Sequence, residues 1–499
     1  MGRQTVTQRR PNLLYILSDQ HSPFVSGCYG DAMVETPNLD RLAAQGVVLS
    51  QVYCPSPLCV PSRMSMLTGR YPYQNQVWTN DHILGSGVPT FAHALGAAGY
   101  FPVLIGRMHS VGPDQLRGYA ERLVGDHGPN YVGGVDTSRG VLEGTAGPAR
   151  ISLIRSGAGQ SGYEVHDEYV TAATVDFLNR LAVARRSGRA AEPFCLSVGF
   201  MLPHQPYVAR RGDYARYRGR ITPPAYPVPY SEQLHPYLRR WRRQTGIEEV
   251  SEEETLRARA AYWGLVTALD RMIGRVLAAL RENDLAENTL VVYTSDHGEQ
   301  VGEHGLWWKQ TFYEQSVRVP AILAWPGTLP AGQRCDRVVS SFDVMATMLE
   351  ALGAPPLPLG IGRGLLPLLT QPGARASWDD LAFSEYCTDE GSYHRMVRRG
   401  PWKLNYYHGQ EPQLFQLQDD PAELHDLAQD PALGELRREL TALVLTDWDP
   451  ERIAAVMALK REEGRLLTDW ARQMRPADQY RWDLRPDMNW LDERDPAGG

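Results

Sequence analysis

Short apolar runs alternate with longer helical stretches along most of this chain, and that alternation narrows the fold to one architectural class. Residues 12–18 form an apolar run between polar flanks, the pattern of a strand covered on both faces of a parallel sheet. Runs at 47–53, 101–105, 194–200, 289–294 and 320–325 share this character, and helices are predicted at 38–46, 89–98, 166–186, 252–282 and 344–352. Strands alternating with helices imply an α/β fold, a large and mostly parallel sheet sandwiched by helices. Ligands in such sheets sit beyond the carboxyl ends of the strands. Three runs end in polar residues at that edge: Asp19-Gln20, Arg107 with His109, and Asp296-His297. The spacing predicts one active site there.

The remaining sequence divides by texture. We expect the α/β domain over 11–380, with 205–250, rich in Pro, Tyr and Arg, as a long surface excursion. Short strands at 394–398, 402–407 and 413–417 and a helix near 432–445 predict a smaller antiparallel α+β subdomain over 381–446. The tail, 447–499, keeps Trp470, Trp482 and Trp490 amid charges, too aromatic for a disordered segment. It is expected to pair copies of the chain in a homo-oligomer or to close over the site. A net charge of −7 with no basic stripe argues against nucleic acid. The six cysteines are scattered and read as reduced thiols of a cytoplasmic protein. Residues 1–10 are polar and basic, 13–17 is too short for a signal-peptide core, and no run is long enough to span a membrane.

Cys59-Val60-Pro61-Ser62-Arg63, continuing to Leu67-Thr68-Gly69-Arg70, carries the chemistry. Pro61 suits the first position of a helix and Gly69 the position just past its end. Cys59 then lies at a helix N-terminus, where free N–H groups favour negative charge, with Arg63 one turn on. A free Cys is ordinarily a buried, inert thiol, but the pattern C-x-P-S-R-x-x-x-L-T-G-R resembles the signature of the type I sulfatases, of the alkaline phosphatase-like superfamily. The resemblance implies that a formylglycine-generating enzyme oxidises Cys59 to formylglycine. Its hydrated aldehyde attacks sulfur with one oxygen and expels sulfate with the other.

The same resemblance assigns further residues. Asp19, Cys59, Asp296 and His297 would hold one divalent metal ion, calcium or, given the imidazole, manganese or zinc. Gly106-Arg107-Met108-His109 resembles the family's G-K-x-H element with Arg for Lys; that Lys steadies the formylglycine oxygen and that His removes a proton from the second hydroxyl. Pro203-His204-Gln205-Pro206-Tyr207 resembles P-H-x-P-[FY], whose His contacts the sulfuryl oxygens and protonates the departing alkoxide. Lys309, in a G-E-x-G-L-W-x-K-like segment, supplies a second donor, and Arg63 joins the ring of cations around the anion. Gln20 and Asn80 are candidate substrate contacts. Asp19-Gln20, where many sulfatases carry Asp-Asp, resembles the choline sulfatase and phosphonate monoester hydrolase branch, and His297, where many carry Asn, resembles the phosphonate hydrolases within it. The expected activity is hydrolysis of a small sulfate ester. The alternatives are a phosphonate monoester hydrolase or phosphodiesterase using the same machinery, and an anion-binding relative whose Cys59 stays unmodified. A cationic alcohol would find π faces at Tyr131, Trp307 or Trp308 and counter-charge at Glu385.

Overall fold

The computed structural model describes residues 10–134, 142, 144–188 and 193–492; the polar leader at 1–9 lies outside them. In chain order the strands are β1 (Asn12–Asp19), β2 (Val47–Tyr53), β3 (Phe101–Gly106), β4 (Glu121–Leu123), β5 (Gly157–Gln160), β6 (Phe194–Pro203), β7 (Val208–Ala209) and β8 (Thr289–Ser295). They continue as β9 (Arg318–Ala324), β10 (Gln333–Ser340), β11 (Leu381–Cys387), β12 (Tyr393–Arg399), β13 (Trp402–Tyr407), β14 (Gln413–Gln416) and β15 (Trp490–Leu491). Eight of them form one sheet in the order β10-β2-β9-β8-β1-β6-β3-β4. β1 lies between β8 and β6, parallel to both, and every one of its residues is buried, which is why the sequence reads as an unbroken apolar run.

β9 is the exception, running antiparallel to both β2 and β8. A parallel return needs a crossover of a dozen or more residues that traverses the face of the sheet. The chain between β8 and β9 instead stays at the carboxyl edge, folding only a single-turn 3-10 helix at Glu303–Gly305 and the short helix Glu314–Val317. It therefore re-enters the sheet from the edge it left. The long Glu252–Glu282 helix packs across the sheet, started by Ser251, whose side chain and that of Glu254 close a capping box. The segment 205–250 is less of a surface excursion than its prolines suggest: Tyr217, Tyr237 and Trp241 are buried anchors.

The second sheet, β11-β12-β13-β14, is antiparallel and carries the Gly434–Leu445 helix on β12 and β13. Val397, Leu404, Leu414, Leu440 and Val444 form its own core. It is tied to the catalytic edge by Lys403, whose Nζ lies 2.9 Å from Glu314 and 2.8 Å from Glu423 with all three side chains buried. After it comes a feature that sequence reading passes over, the 25-residue helix Pro450–Met474. The chain then packs on its own main domain. Trp482 donates its N–H to the Asp126 carbonyl at 2.8 Å and stands edge-on to His166. Asp478 accepts from the Asn130 N–H at 3.0 Å, and β15 pairs with β5. Among the described residues no helix is long and apolar enough to cross a membrane.

Glu385, on β11, makes a measurable prediction. Burial pushes its carboxyl up to about 8, with Arg395 pulling the other way. The native state thus keeps a proton that the unfolded chain releases near pH ~4.3. Native stability is therefore lost as pH rises from that value to the native pKa, and no further above it. Glu385→Gln removes this slope, so its melting temperature relative to wild type should be higher at pH 9 than at pH 5. Equal differences at both pH values would refute the assignment.

Candidate active site

The carboxyl ends of β1 and β8 bring two acids side by side. Asp19 ends β1, Asp296 and His297 follow β8, and Gln20 turns the chain away at φ 66°. Cys59 enters from the Cys59–Thr68 helix, where it holds the first helical position behind an extended Leu58. Pro61 is thus third, not first, in the helix; its missing N–H costs nothing there because the first-turn N–H groups have no partner within the helix. Gly69 ends the helix in the left-handed conformation, at φ 66°.

One ligand atom from each of Asp19, Cys59, Asp296 and His297 falls within 4.8 Å of the others, and all four residues are buried. His297 Nδ1 donates to the Gly298 carbonyl at 3.0 Å, which leaves the Nε2 lone pair facing Asp19 Oδ1 at 3.8 Å and Asp296 Oδ1 at 3.7 Å. Two carboxylates, one imidazole with its free lone pair turned inward, and residue 59 form a donor set that fits a divalent cation. Arg63 braces it from below: Nε donates to Asp296 Oδ2 at 2.8 Å and Nη2 to Asp19 Oδ2 at 3.1 Å. Wholly buried and engaged, Arg63 positions the acids and does not line the cavity above them.

Arg107 closes the other side. Its Nε donates to Asp19 Oδ2 at 2.6 Å and its Nη1 to Asp126 Oδ1 at 3.0 Å. Burial pushes the Asp19 carboxyl up, but Arg107 and Arg63 outweigh it and hold it well below the usual carboxylate range. Gly106, at φ 92°, lets this turn form, since a Cβ there would stand 2.3 Å from the Gly199 carbonyl oxygen. Burial, helped by Arg107, holds the His109 imidazole well below its ordinary value, so it stays neutral.

Lys309 completes the floor. Its Nζ lies 3.2 Å from Cys59 Sγ, 2.9 Å from His204 Nε2 and 2.5 Å from Gln20 Oε1. His204 donates from Nδ1 to the Gln205 carbonyl at 2.6 Å; burial and then Lys309 lower its pKa. The Gln20 amide is fully engaged, donating to Gln205 and Glu299 while accepting from Lys309, so it orients the lysine. Asn80 Oδ1 accepts the Val60 N–H at 3.0 Å, capping from outside the helix that carries Cys59.

All the sequence-predicted site residues are gathered in this network, and Cys59, Asn80, Arg107, His109 and His204 open into a cavity of ≈ 1080 Å³. Of the expected π faces, Tyr131 lines the cavity, with its ring 5.5 Å from that of Trp470. Trp307 and Trp308 do not: both are core residues, Trp307 against Tyr207 and Trp308 bonded to Ser152. Glu385 is likewise buried away from the cavity, accepting from the Tyr73 N–H. Sequence reading missed Asp126, His127, Tyr163 and Glu299. The first three line the cavity, Asp126 and His127 from an irregular loop and Tyr163 from the first turn of the helix Gly162–Arg186, whereas Glu299 lies two residues past His297 among polar neighbours that give it no pattern of its own.

The sulfatase family model matches residues 11–354, and a model for the C-terminal part of N-sulphoglucosamine sulphohydrolase matches 302–447. A choline-sulfatase of Rhizobium meliloti is 32% identical over 96% of this chain and 94% of its own length. A multifunctional alkaline phosphatase superfamily protein of Trinickia caryophylli is 28% identical over 88% of this chain and 95% of its own. In fold, the chain is similar to the phosphonate monoester hydrolase of Agrobacterium radiobacter, with a TM-score of 0.72, 24% identity, and coverage of 88% of this chain and 95% of that one. A match across most of the main domain, joined to a relative this similar along nearly its whole length, means that the chain belongs to the sulfatase family.

Proposed function

We propose that this protein hydrolyses a sulfate ester, releasing sulfate and an alcohol, with residue 59 carried as formylglycine. The observation that carries the reading is the meeting of Cys59 Sγ with Lys309 at 3.2 Å, His297 at 3.2 Å and Asp19 at 3.7 Å on the floor of a cavity. Packing alone gives no reason to surround a thiol with two buried acids and two buried bases. Carried as hydrated formylglycine, residue 59 would supply a nucleophilic hydroxyl and a second, ionisable one. Asp19, Asp296, His297 and residue 59 would hold a divalent cation, which would supply Lewis acidity toward the ester oxygens.

The chain's own groups do the rest. Lys309 stabilises the peripheral oxygens, where charge gathers in the transition state. Arg63, Arg107 and Lys309 offset Asp19, Asp126 and Asp296, so a bound cation leaves the pocket attractive to an anion. His204 borders Cys59 and His109 opens into the same cavity, so both imidazoles are available to the ester for hydrogen bonds. The cavity accommodates an alcohol larger than the sulfate itself. Choline sulfate is one candidate, its ammonium set against the Tyr131 ring.

A second reading, phosphonate monoester or phosphate diester hydrolysis, is favoured by His297 in the candidate ligand set and by neutral Gln20 beside Asp19. Paired aryl esters separate the two, and faster phosphonate than sulfate release would overturn the first. The peptide carrying residue 59 should weigh about 18 Da less than its cysteine form; an unmodified and inactive protein would favour the anion-binding alternative. Lys309→Ala is expected to lower kcat by about 10²–10³-fold, the usual loss when one preplaced donor to a developing oxyanion is removed. Steady-state kinetics on an aryl sulfate measure it, and an unchanged kcat would remove Lys309 from that role.

A further inference from the structure

Two imidazoles accept from the guanidinium of Arg107: its Nη2 lies 2.8 Å from His109 Nδ1, and its Nη1 lies 3.4 Å from His127 Nε2. A guanidinium has only donors and does not deprotonate, so Nδ1 of His109 must be an acceptor. A neutral imidazole that accepts at one nitrogen carries its hydrogen on the other. The hydrogen-bond network thus assigns His109 as the Nε2–H tautomer.

That assignment is held from three directions. Asp19 accepts Arg107 Nε and Asp126 Oδ1 accepts Nη1, fixing the plane of the guanidinium. The other oxygen of the same acid, Asp126 Oδ2, accepts the His109 backbone N–H at 2.8 Å. One carboxylate therefore sets both partners in register, and it holds His109 at φ 56°, a left-handed conformation uncommon for a non-glycine residue. A lysine at 107, with a single nitrogen, could not bond Asp19, Asp126 and His109 through one rigid plane. The neighbouring imidazoles have the opposite polarity. His204 gives its Nδ1–H to Gln205 and accepts from Lys309 at Nε2; His297 gives its Nδ1–H to Gly298 and turns Nε2 to the candidate ligands.

We infer that His109 is a hydrogen-bond donor to the anion bound in the cavity, not the proton acceptor its motif implies, and that Asp126 is the positioning residue that fixes this polarity through Arg107. The accepting imidazoles beside Cys59 are then His204 and His297. The inference relies on the sulfatase reading for the nature of the anion, but not for the tautomer.

Nitrogen NMR of the resting protein labelled in histidine, with His109→Gln to identify the signals, should find Nε2 of His109 protonated and Nδ1 bare at neutral pH. An Nδ1–H tautomer overturns the inference whether or not the protein turns over any ester. Calorimetric titration with inorganic sulfate gives the second readout. His109→Ala should weaken binding by about 10-fold or more, as expected for a hydrogen bond to a charged group, whereas His109→Gln, whose amide can donate in place of Nε2–H, should stay within about threefold of wild type. Equal losses in the two variants, or none in either, refute the donor role. Asp126→Asn should move the His109 nitrogen signals toward a mixture of tautomers, and unchanged signals would remove Asp126 from its part. A wild type that releases no sulfate from aryl sulfates would defeat the proposed function, while these readouts would still decide the polarity of His109.

Discussion

Cys59→Ala is expected to abolish ester hydrolysis, lowering kcat by about 10⁴-fold or more, because no other group on the cavity floor can become the nucleophile. The fold should survive. Cys59 occupies the first position of its helix, so alanine keeps the backbone, and the lost sulfur leaves only a small void costing about 1 kcal/mol. Asp19, Asp296 and His297 stay in place, so the variant should still take up metal. Turnover on an aryl sulfate, a thermal melt and metal analysis together check the claim. Activity near wild type in a folded variant would end the assignment of residue 59 as nucleophile.

Asp296→Asn should damage both stability and activity. Asp296 Oδ2 accepts Arg63 Nε, while Oδ1 accepts the backbone N–H groups of Gln20 and His297. An asparagine must turn its NH₂ toward one of these donor sets, and Arg63 is left with Asp19 as its remaining carboxylate. Removing one partner of a buried ion pair costs about 3–5 kcal/mol. We expect a loss at the lower end of that range, because Asp19 still faces the guanidinium. Metal content should fall and kcat should drop by about 10³-fold, since the ligand charge and the bracing of Asp19 go together. Denaturant unfolding read alongside metal analysis separates the two effects. A variant as stable as wild type with full metal content would contradict the shared role of Asp296.

The parts of the site that sequence reading located are those that punctuate a buried strand. Asp19, Arg107, His204 and Asp296 each interrupt or follow an apolar run, so the strand pattern itself marks the edge at which they gather. What it did not locate lies where pattern fails. Asp126 and His127 sit in a loop whose shape comes from contacts with residues some 350 positions later, such as Arg481 Nε on the His127 carbonyl. The reversal of β9 was hidden because an apolar run has no direction of its own. The Pro450–Met474 helix was readable at its start: Asp449 accepts the N–H groups of Glu451 and Arg452, and proline holds the first helical position. Its mostly polar surface, with Pro450, Ile453, Met457 and Ala471 as the buried members, masked it.

The far end of the chain governs a place remote from it in sequence. Trp470 lies against Tyr131, Asp478 holds Asn130, and Trp482 bonds the Asp126 carbonyl, so the wall from 126 to 131 is strapped down by the last fifty residues. Asp19, Cys59, Asp296 and His297 come from other segments, but Asp126 in this wall holds both Arg107 and the His109 N–H. The C-terminal brace thus reaches the buried charges through Asp126: an edit near Trp482 would shift the cavity wall and the seat of Arg107 together.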